Sequence, residues 1–138
     1  MIATARRMGL FETLPLLNRS LAIQGELIGP GIQGNPEKLN QITFLVFDIF
    51  DIDTQKYVSP EERHALTTAL GLVQVPVICA NTSLQDIGCE SISKILAFAE
   101  GKSWFSDNPI REGIVFKSLD GQTSFKAISN AFLLQGGD

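Results

Sequence analysis

Two lysines near the C-terminal end of the chain, Lys117 and Lys126, are placed where they could hold an anion. They flank the dipeptide Asp120-Gly121, which lies between two strand-like segments and is a strong signal for a β-hairpin. A two-residue turn there pairs Val115 with Lys126 and sets the two lysines diagonally on one face, about 7–8 Å apart. Like charges at that distance repel each other unless an anion lies between them, and a phosphate would serve. The alternative is a pair of solvated lysines on an exposed sheet face, which is commoner among hairpins generally.

Glu112 opens the first of these strand-like segments and adds a carboxylate close to the lysines in the sequence. Its position has the opposite parity to Lys117, so simple alternation places the two side chains on opposite faces of the strand. Gly113 could bend the strand and change this. The sequence leaves both orientations open.

Two further strands carry the other chemically informative residues. The segment Leu21–Ile28 reads as a strand that contains Glu26, and the β-branched and aromatic run Ile42–Ile52 predicts a strand buried on both faces. Within that run Phe47 precedes Asp48, a charge that must find a partner or reach a cleft. The plainer interpretations are an exposed glutamate on an edge strand, a core phenylalanine and an aspartate at a turn or a strand end.

Helix-capping signals predict two helices between the strands. Ser59 followed by Pro60 opens the first, and Ser83 begins a capping box ahead of a second apolar stripe that ends at Gly101. The stripe of the first helix consists of Ala65, Leu66, Ala69, Leu70 and Val73. The other predicted elements are a helix over residues 3–14 and a short strand over Val75–Ala80. The expected fold class is α+β, with antiparallel sheets and flanking helices.

The composition excludes several classes of protein. The 138 residues are 44% hydrophobic and carry a net charge of −4, which fits one packed domain rather than a disordered chain or a broad nucleic-acid-binding surface. One histidine and two cysteines weaken the hypotheses of a catalytic triad, a disulfide framework and a zinc site. No apolar run is long enough for a membrane span and no secretory pattern follows the first residues, so we expect a cytoplasmic location.

Four segments occur in an order that resembles the covalent nucleotidyltransferase superfamily of ATP-dependent ligases and RNA capping enzymes. The resemblance runs from about Leu21 to Leu134 and is greatest to RNA ligases of the phage ligase 2 type and their bacterial relatives. Gly-Pro-Gly-Ile-Gln in the first segment discriminates, since DNA ligases usually keep only Gly-Glu-Leu. The four segments are Gly25-Glu-Leu-Ile-Gly-Pro-Gly-Ile-Gln33, Phe44-Leu-Val-Phe-Asp-Ile49, Glu112-Gly-Ile-Val-Phe-Lys117 and Ser124-Phe-Lys-Ala-Ile-Ser129.

This resemblance implies an enzyme, with residues 1–138 forming part of a nucleotidyltransferase domain that uses ATP and Mg²⁺ or Mn²⁺. In the family reaction a lysine attacks the α-phosphate of ATP and becomes joined to AMP. AMP then passes to a 5′-phosphate end of RNA, and a 3′-hydroxyl displaces it. Transfers at phosphorus depend on positioning and charge neutralisation. The implied partners are RNA ends or a nicked duplex that contains RNA, and no membrane.

The resemblance also implies a role for each matched residue. Glu26 is expected to contact the ribose side of the nucleotide, and Phe47 to stack on adenine. Lys117 ends motif IV and Lys126 is the first lysine of motif V, so both are expected to act in catalysis and in nucleotide binding. Glu112 is expected near the metal ion and the phosphate.

One element of the family is missing from the sequence, because no Lys-x-Asp-Gly or close variant occurs in it. In the family the nucleophilic lysine lies upstream of Glu26, so we expect an N-terminally truncated ligase domain that is inactive alone. Ile128 stands where some relatives carry a second lysine, as it does in the branch with Phe-Lys-x-Ile-Ser. The alternatives are a non-catalytic nucleotide- or RNA-binding remnant, which the missing nucleophile favours, and a DNA ligase or capping-type enzyme, which Gly-Pro-Gly-Ile-Gln argues against.

Overall fold

The computed structural model describes residues 18–32, 40–102 and 110–135. The chain divides into two compact units, which are treated separately below: Met1–Val75 with Leu119–Gln122, and Pro76–Ser118 with Thr123–Asp138. The helix predicted over residues 3–14 lies outside the described residues.

A four-stranded sheet forms the first unit. Strands β1 and β2 are antiparallel, β3 pairs with β2 antiparallel, and β4 pairs with β2 in parallel. The four strands are β1 (Leu21–Ile28), β2 (Thr43–Asp51), β3 (Lys56–Tyr57) and β4 (Val73–Gln74). The two long strands confirm the sequence prediction to within one residue at each end. The short parallel pair of β2 and β4 is an addition to the antiparallel pairing that the sequence predicts.

A β-bulge in β2 changes which residues of that strand face the core. Gln24 lies opposite Asp48 and Gly25 opposite Val46, so Phe47 is the extra residue. Before the bulge Val46 is buried, and after it Ile49 is buried, which shifts the alternation by one position. Phe44, Leu45 and Val46 are consecutive and all buried, so β2 before the bulge is buried on both faces as predicted, while Phe47 itself is exposed.

Helix α1 (Pro60–Leu70) follows β3 and begins as its capping signals predict, because the Ser59 hydroxyl accepts a hydrogen bond from the Glu62 N–H. Its buried stripe is only half as predicted. Leu66 and Leu70 are buried, while Ala65 and Ala69 are exposed. Arg63 and Thr67 take the remaining buried positions, and both side chains are hydrogen-bonded there. The core of this unit consists of Phe44, Val46, Ile49, Val58, Leu66, Leu70 and Leu72.

The strand predicted over Val75–Ala80 is wrong, because the observed strand β4 lies two residues earlier and ends at Gln74. Gly71 ends α1 in the left-handed conformation, at φ 68°, and the chain enters β4 immediately afterwards. The last hydrogen bond of this pairing runs from the Val75 N–H to the Val46 carbonyl at 2.8 Å, so the ladder ends where the predicted segment begins. Residues 76–80 are irregular and exposed.

The second unit contains helix α2 (Ile92–Ala99), the antiparallel strands β5 (Gly113–Lys117) and β6 (Ser124–Ile128), and helix α3 (Asn130–Leu134). The capping contact predicted at Ser83 forms, but only a turn follows it. Gly88 takes a φ of 73° and ends that turn, and Ser91 caps α2 instead. Two sheets with antiparallel strand pairs, together with the helices, confirm the α+β class.

Among the described residues, no helix combines the length and the apolar character that crossing a membrane requires.

Candidate functional site

The β5–β6 hairpin has the register that its turn predicts. Val115 lies opposite Lys126, and Lys117 lies opposite Ser124. Lys117 and Lys126 therefore lie diagonally on the same face, as expected. Lys126 is exposed and Lys117 is half-buried.

Glu112 contacts Lys126, which settles the orientation that alternation left open. Its Oε1 lies 2.5 Å from the Lys126 Nζ, although the two residues are 14 positions apart in the chain. Alternation alone is a wrong guide here because Glu112 precedes the first residue of β5. Gly113 also has no side chain to fill the face that Lys126 occupies, so the carboxylate can cross to it.

Close approach of the two strands requires glycine at position 113. A Cβ there would overlap the carbonyl oxygen of Ala127. The ladder continues past Gly113, since the Ser129 N–H donates to the Glu112 carbonyl at 2.7 Å. Backbone contacts on both strands therefore fix the positions from which Glu112 and Lys126 project.

Arg111, which directly precedes Glu112, binds the end of helix α2 through its side chain. Its guanidinium donates to the carbonyl oxygens of Phe98, Ala99 and Glu100, at 2.6–3.0 Å. These are carbonyls at a helix C-terminus, where a cation is favourable. The sequence analysis missed this contact, because an arginine beside a strand carries no sign of which carbonyls it will meet.

Glu100 joins the end of α2 to the start of α3. Its carboxylate accepts from the Ser129 hydroxyl at 2.7 Å and from the backbone N–H groups of Asn130 and Ala131. The Ser129 hydrogen bond, helped by the two N–H groups and the charge of Arg111, holds the pKa of the Glu100 carboxyl below its usual value. Ser129 directly follows β6, so this contact fixes the C-terminal end of the strand that carries Lys126.

In the first unit, the predicted ribose-contacting and adenine-stacking residues lie on neighbouring strands. Glu26 is exposed in β1, opposite Leu45 of β2. The neighbouring pair, Gly25 and Val46, lies on the opposite face of the sheet, where Val46 belongs to the core. Glu26 is therefore on the face that points away from this core. Phe47, at the bulge, is 38% exposed. The alternative interpretation of Phe47 as a core side chain is therefore wrong.

Asp48 lies close to a positively charged side chain that the sequence analysis did not identify. Arg63 of α1 is only 5% exposed, and its Nη1 lies 3.9 Å from the Asp48 Oδ1. The same nitrogen donates to the carbonyl of Phe47 at 3.2 Å, and the Nε donates to the Gln74 side chain. Burial lowers the pKa of the Arg63 guanidinium, and the charge of Asp48 opposes that shift.

The side chains of Glu112 and Lys126 fit a nucleotide with a hydrated divalent ion better than a metal ion whose ligands all come from the protein. Across residues 18–32, 40–102 and 110–135, no three His, Cys, Asp or Glu side chains form a group that could hold a metal. Glu112 offers one exposed carboxylate, and Mg²⁺ commonly binds one or two carboxylates and keeps its waters. The Lys126 ammonium has three donors, and the contact with Glu112 uses one.

Three further residues complete the comparison with the sequence. His64 is exposed, and its Nδ1 lies 2.9 Å from the Gln74 Nε2. Trp104 and Gln33, the last residue of the first matched segment, lie outside the described residues.

Comparison with known proteins agrees with this chemistry. The family model described as RNA ligase matches residues 1–128. The chain is 44% identical to a Naegleria gruberi RNA ligase, in the structure of an alanine variant with ATP and Mn, with a TM-score of 0.85, covering 99% of this chain and 40% of that chain. The same ligase with PPi gives 44% identity and a TM-score of 0.84 over 99% of this chain and 40% of that chain.

A third structure of the Naegleria ligase, an alanine variant with AMP and Mn, gives 43% identity and a TM-score of 0.80, covering 96% of this chain and 39% of that chain. The chain thus spans about 40% of the length of these ligase chains. Comparison with curated protein sequences gives no match. The matched family model covers nearly the whole chain, and the chain therefore belongs to the RNA ligase family.

Proposed function

We propose that this chain carries nucleotide-binding and phosphate-binding residues of an ATP-dependent RNA ligase, which joins 5′-phosphate and 3′-hydroxyl ends through a lysine–AMP and an RNA-adenylate. The observation that carries the proposal is the contact between Glu112 and Lys126. An exposed carboxylate and an ammonium, brought together from two strands, can act on a metal ion and on a phosphate at the same place.

The spacing of these two residues supports the assignment. In the Naegleria ligase, a glutamate and a lysine 14 positions apart are replaced in variants solved with AMP or ATP and Mn, and Glu112 and Lys126 have the same separation. We propose that Lys126 neutralises charge on the α-phosphate and that Lys117, on the same face, does so as well.

Glu112 is the proposed residue for the divalent ion. Carboxylate oxygen is a ligand that Mg²⁺ and Mn²⁺ accept. A bound ion would neutralise charge on the phosphates during transfer. Glu112 would hold that ion or its water shell, at the position that the backbone contact with Ser129 and the anchor of Arg111 fix.

Glu26 and Phe47 are the proposed nucleoside contacts of the first unit. A carboxylate accepts hydrogen bonds from ribose hydroxyls, and Glu26 is exposed for this. The exposed ring of Phe47 offers a face for adenine. The proposed macromolecular substrate is RNA, either as ends or as a nicked duplex, and the cytoplasmic location stays a prediction.

The reaction needs a nucleophilic lysine, and the 138 residues contain no Lys-x-Asp-Gly. A graft can supply it. In the Naegleria ligase, the segment that aligns with this chain is replaced by this chain, and the graft is given ATP, Mn²⁺ and a nicked RNA duplex with a labelled 5′-phosphate. We expect a sealed product that depends on ATP.

The recipient without its aligned segment is the negative control, and the unmodified Naegleria ligase is the positive control. A folded graft that binds ATP but neither seals nor forms an RNA-adenylate would contradict the proposal. That result would favour the non-catalytic nucleotide-binding remnant instead. A graft that seals nicked DNA and not nicked RNA would favour the DNA ligase alternative.

A further inference from the structure

We propose that Arg63 is a positioning residue for the ring of Phe47. By holding the carbonyl of the bulged residue, its guanidinium fixes the direction in which the ring projects, and so the strength of its contact with an adenine. The inference rests on the proposed nucleotide site at Phe47 and adds a residue that the sequence resemblance does not assign.

The bulge is the reason that Phe47 needs a positioning contact. A bulged residue is an extra residue in its strand, so the regular ladder does not determine its backbone direction. On either side of it the β2 backbone is fixed: the Val46 carbonyl accepts from the Val75 N–H at 2.8 Å, and the Ile49 carbonyl accepts from the Val58 N–H at 2.9 Å. The Phe47 carbonyl lies between these two points.

Arg63 contacts the backbone at this point from helix α1. Its Nη1 donates to the Phe47 carbonyl at 3.2 Å and faces the Asp48 carboxylate at 3.9 Å. Its Nε donates to the Gln74 Oε1 at 3.2 Å, on strand β4. One planar group thus ties a helix and an adjacent strand to the two residues of the bulge.

Burial makes this contact specific. Arg63 is 5% exposed, whereas the Phe47 ring that it supports is 38% exposed. A guanidinium presents its donors in a fixed fork, while a lysine presents a single flexible ammonium. Replacement by lysine keeps the positive charge opposite Asp48 but removes the fixed fork in which two separate nitrogens reach the Phe47 carbonyl and Gln74.

A second arginine of the same unit provides a matched control. Arg19 also links β2 to α1, since it contacts Asp51 at 2.9 Å and Glu62 at 2.9 Å. Neither of these contacts involves the bulge. Replacement of Arg19 removes a comparable link between the same two elements and leaves the support of Phe47 in place.

The test is a double-mutant cycle on ATP affinity, measured by equilibrium dialysis of labelled ATP against the full chain. Phe47→Ala is expected to raise the Kd about 5- to 150-fold, the usual range for loss of a base-stacking ring. Arg63→Met is expected to raise it about fivefold or more in the wild-type background, but less than about twofold when Phe47 is already alanine. Arg19→Met should change it less than about twofold.

The folded state of each variant is checked by circular dichroism and thermal unfolding. If Arg63→Met does not fold, Arg63→Lys enters the same cycle, and its smaller effect should also vanish in the Phe47→Ala background. A structural role alone would lower ATP affinity by the same factor in both backgrounds, and that result would overturn the inference.

No effect of Arg63→Met beside a clear effect of Phe47→Ala would also overturn it, while leaving the proposed nucleotide site intact. ATP binding that is absent, or insensitive to Phe47→Ala, would remove the proposed site at Phe47 and this inference with it.

Discussion

Two exposed ion pairs in the second unit have similar distances between their charged atoms, but they join residues at different separations along the chain. Lys94 and Glu90 lie four positions apart, with the Nζ and Oε2 atoms separated by 2.6 Å. Lys126 and Glu112 come from two strands and meet at 2.5 Å. Exposed pairs contribute only about 0–1 kcal/mol to folding, so stability gives no reason to build the second pair across a ladder. The shared task that we propose for this pair, in binding phosphate and metal, gives one.

The first prediction concerns the metal. In the graft described above, Glu112→Gln keeps the size of the side chain and removes its charge. The Mn²⁺ concentration for half-maximal sealing should rise about tenfold or more, as is typical when a group that supports a metal is lost. A titration of sealing rate against Mn²⁺ measures this, with Glu90→Gln as the matched control. Equal titration curves for Glu112→Gln and the wild-type graft would remove Glu112 from the metal site.

The matched segments marked side chains that the structure exposes, but no sequence signal marked the polar side chain that it buries. Glu26, Glu112 and Lys126 stand in matched segments, and the structure exposes all three. Arg63 belongs to no matched segment. Arginine is among the residues least often buried, so a helical pattern marks it as polar and exposed. Only the three-dimensional contacts show that it supports a bulge.

At the scale of elements, the hairpin was the most predictable part of the molecule. The Asp120-Gly121 turn and the alternation of the two strands together allow few registers, and the observed one pairs Val115 with Lys126. Strand β4 was not predictable, because two residues carry no periodicity. Its pairing with β2 is decided by the place at which Gly71 ends the preceding helix.

Glu100 gives a prediction for this scale, since it joins α2 to α3. The pKa of its carboxyl is held below the usual value of about 4.5, first by the Ser129 hydroxyl. Its stabilising contribution is therefore fully present above that value and is lost as the pH falls through the lower, folded-state pKa. Glu100→Gln should lower the unfolding temperature at pH 7, and the deficit should shrink below pH 4.5.

Thermal unfolding of the wild type and of Glu100→Gln between pH 7 and pH 3 measures this deficit. Ser129→Ala removes the main donor and should flatten the same pH dependence. A deficit that is constant over the whole pH range would show that the carboxylate charge is not what stabilises the junction.

At the scale of the whole molecule, the chain belongs to the RNA ligase family and carries the residues proposed above to contact a nucleotide and its phosphates. It spans about 40% of the length of the Naegleria ligase chains, and its sequence holds no Lys-x-Asp-Gly. The α+β class and the four longer strands, β1, β2, β5 and β6, followed from turn signals and apolar runs, whereas the two-residue strands β3 and β4 did not. The division of the chain into two units was not predictable, because no linker-like composition separates them in the sequence.

The prediction at this scale is that the 138-residue polypeptide forms no covalent AMP adduct. Incubation with labelled ATP and Mn²⁺, followed by denaturing electrophoresis, should leave it unlabelled, because none of its lysines stands in the nucleophile motif. The graft, treated identically, is the positive control. A labelled band from the polypeptide alone would mean that one of its own lysines is the nucleophile.

The central claim is that Lys126 acts on the phosphate of ATP, and the rate at which the graft becomes joined to labelled AMP tests it most directly. We predict that Lys126→Ala lowers that rate about 10²- to 10³-fold, the usual effect of losing a donor to transition-state charge. Lys94→Ala, which removes another ion-paired lysine of the same unit, should leave the rate unchanged. Equal rates for Lys126→Ala and the wild-type graft, with both folded, would contradict the account.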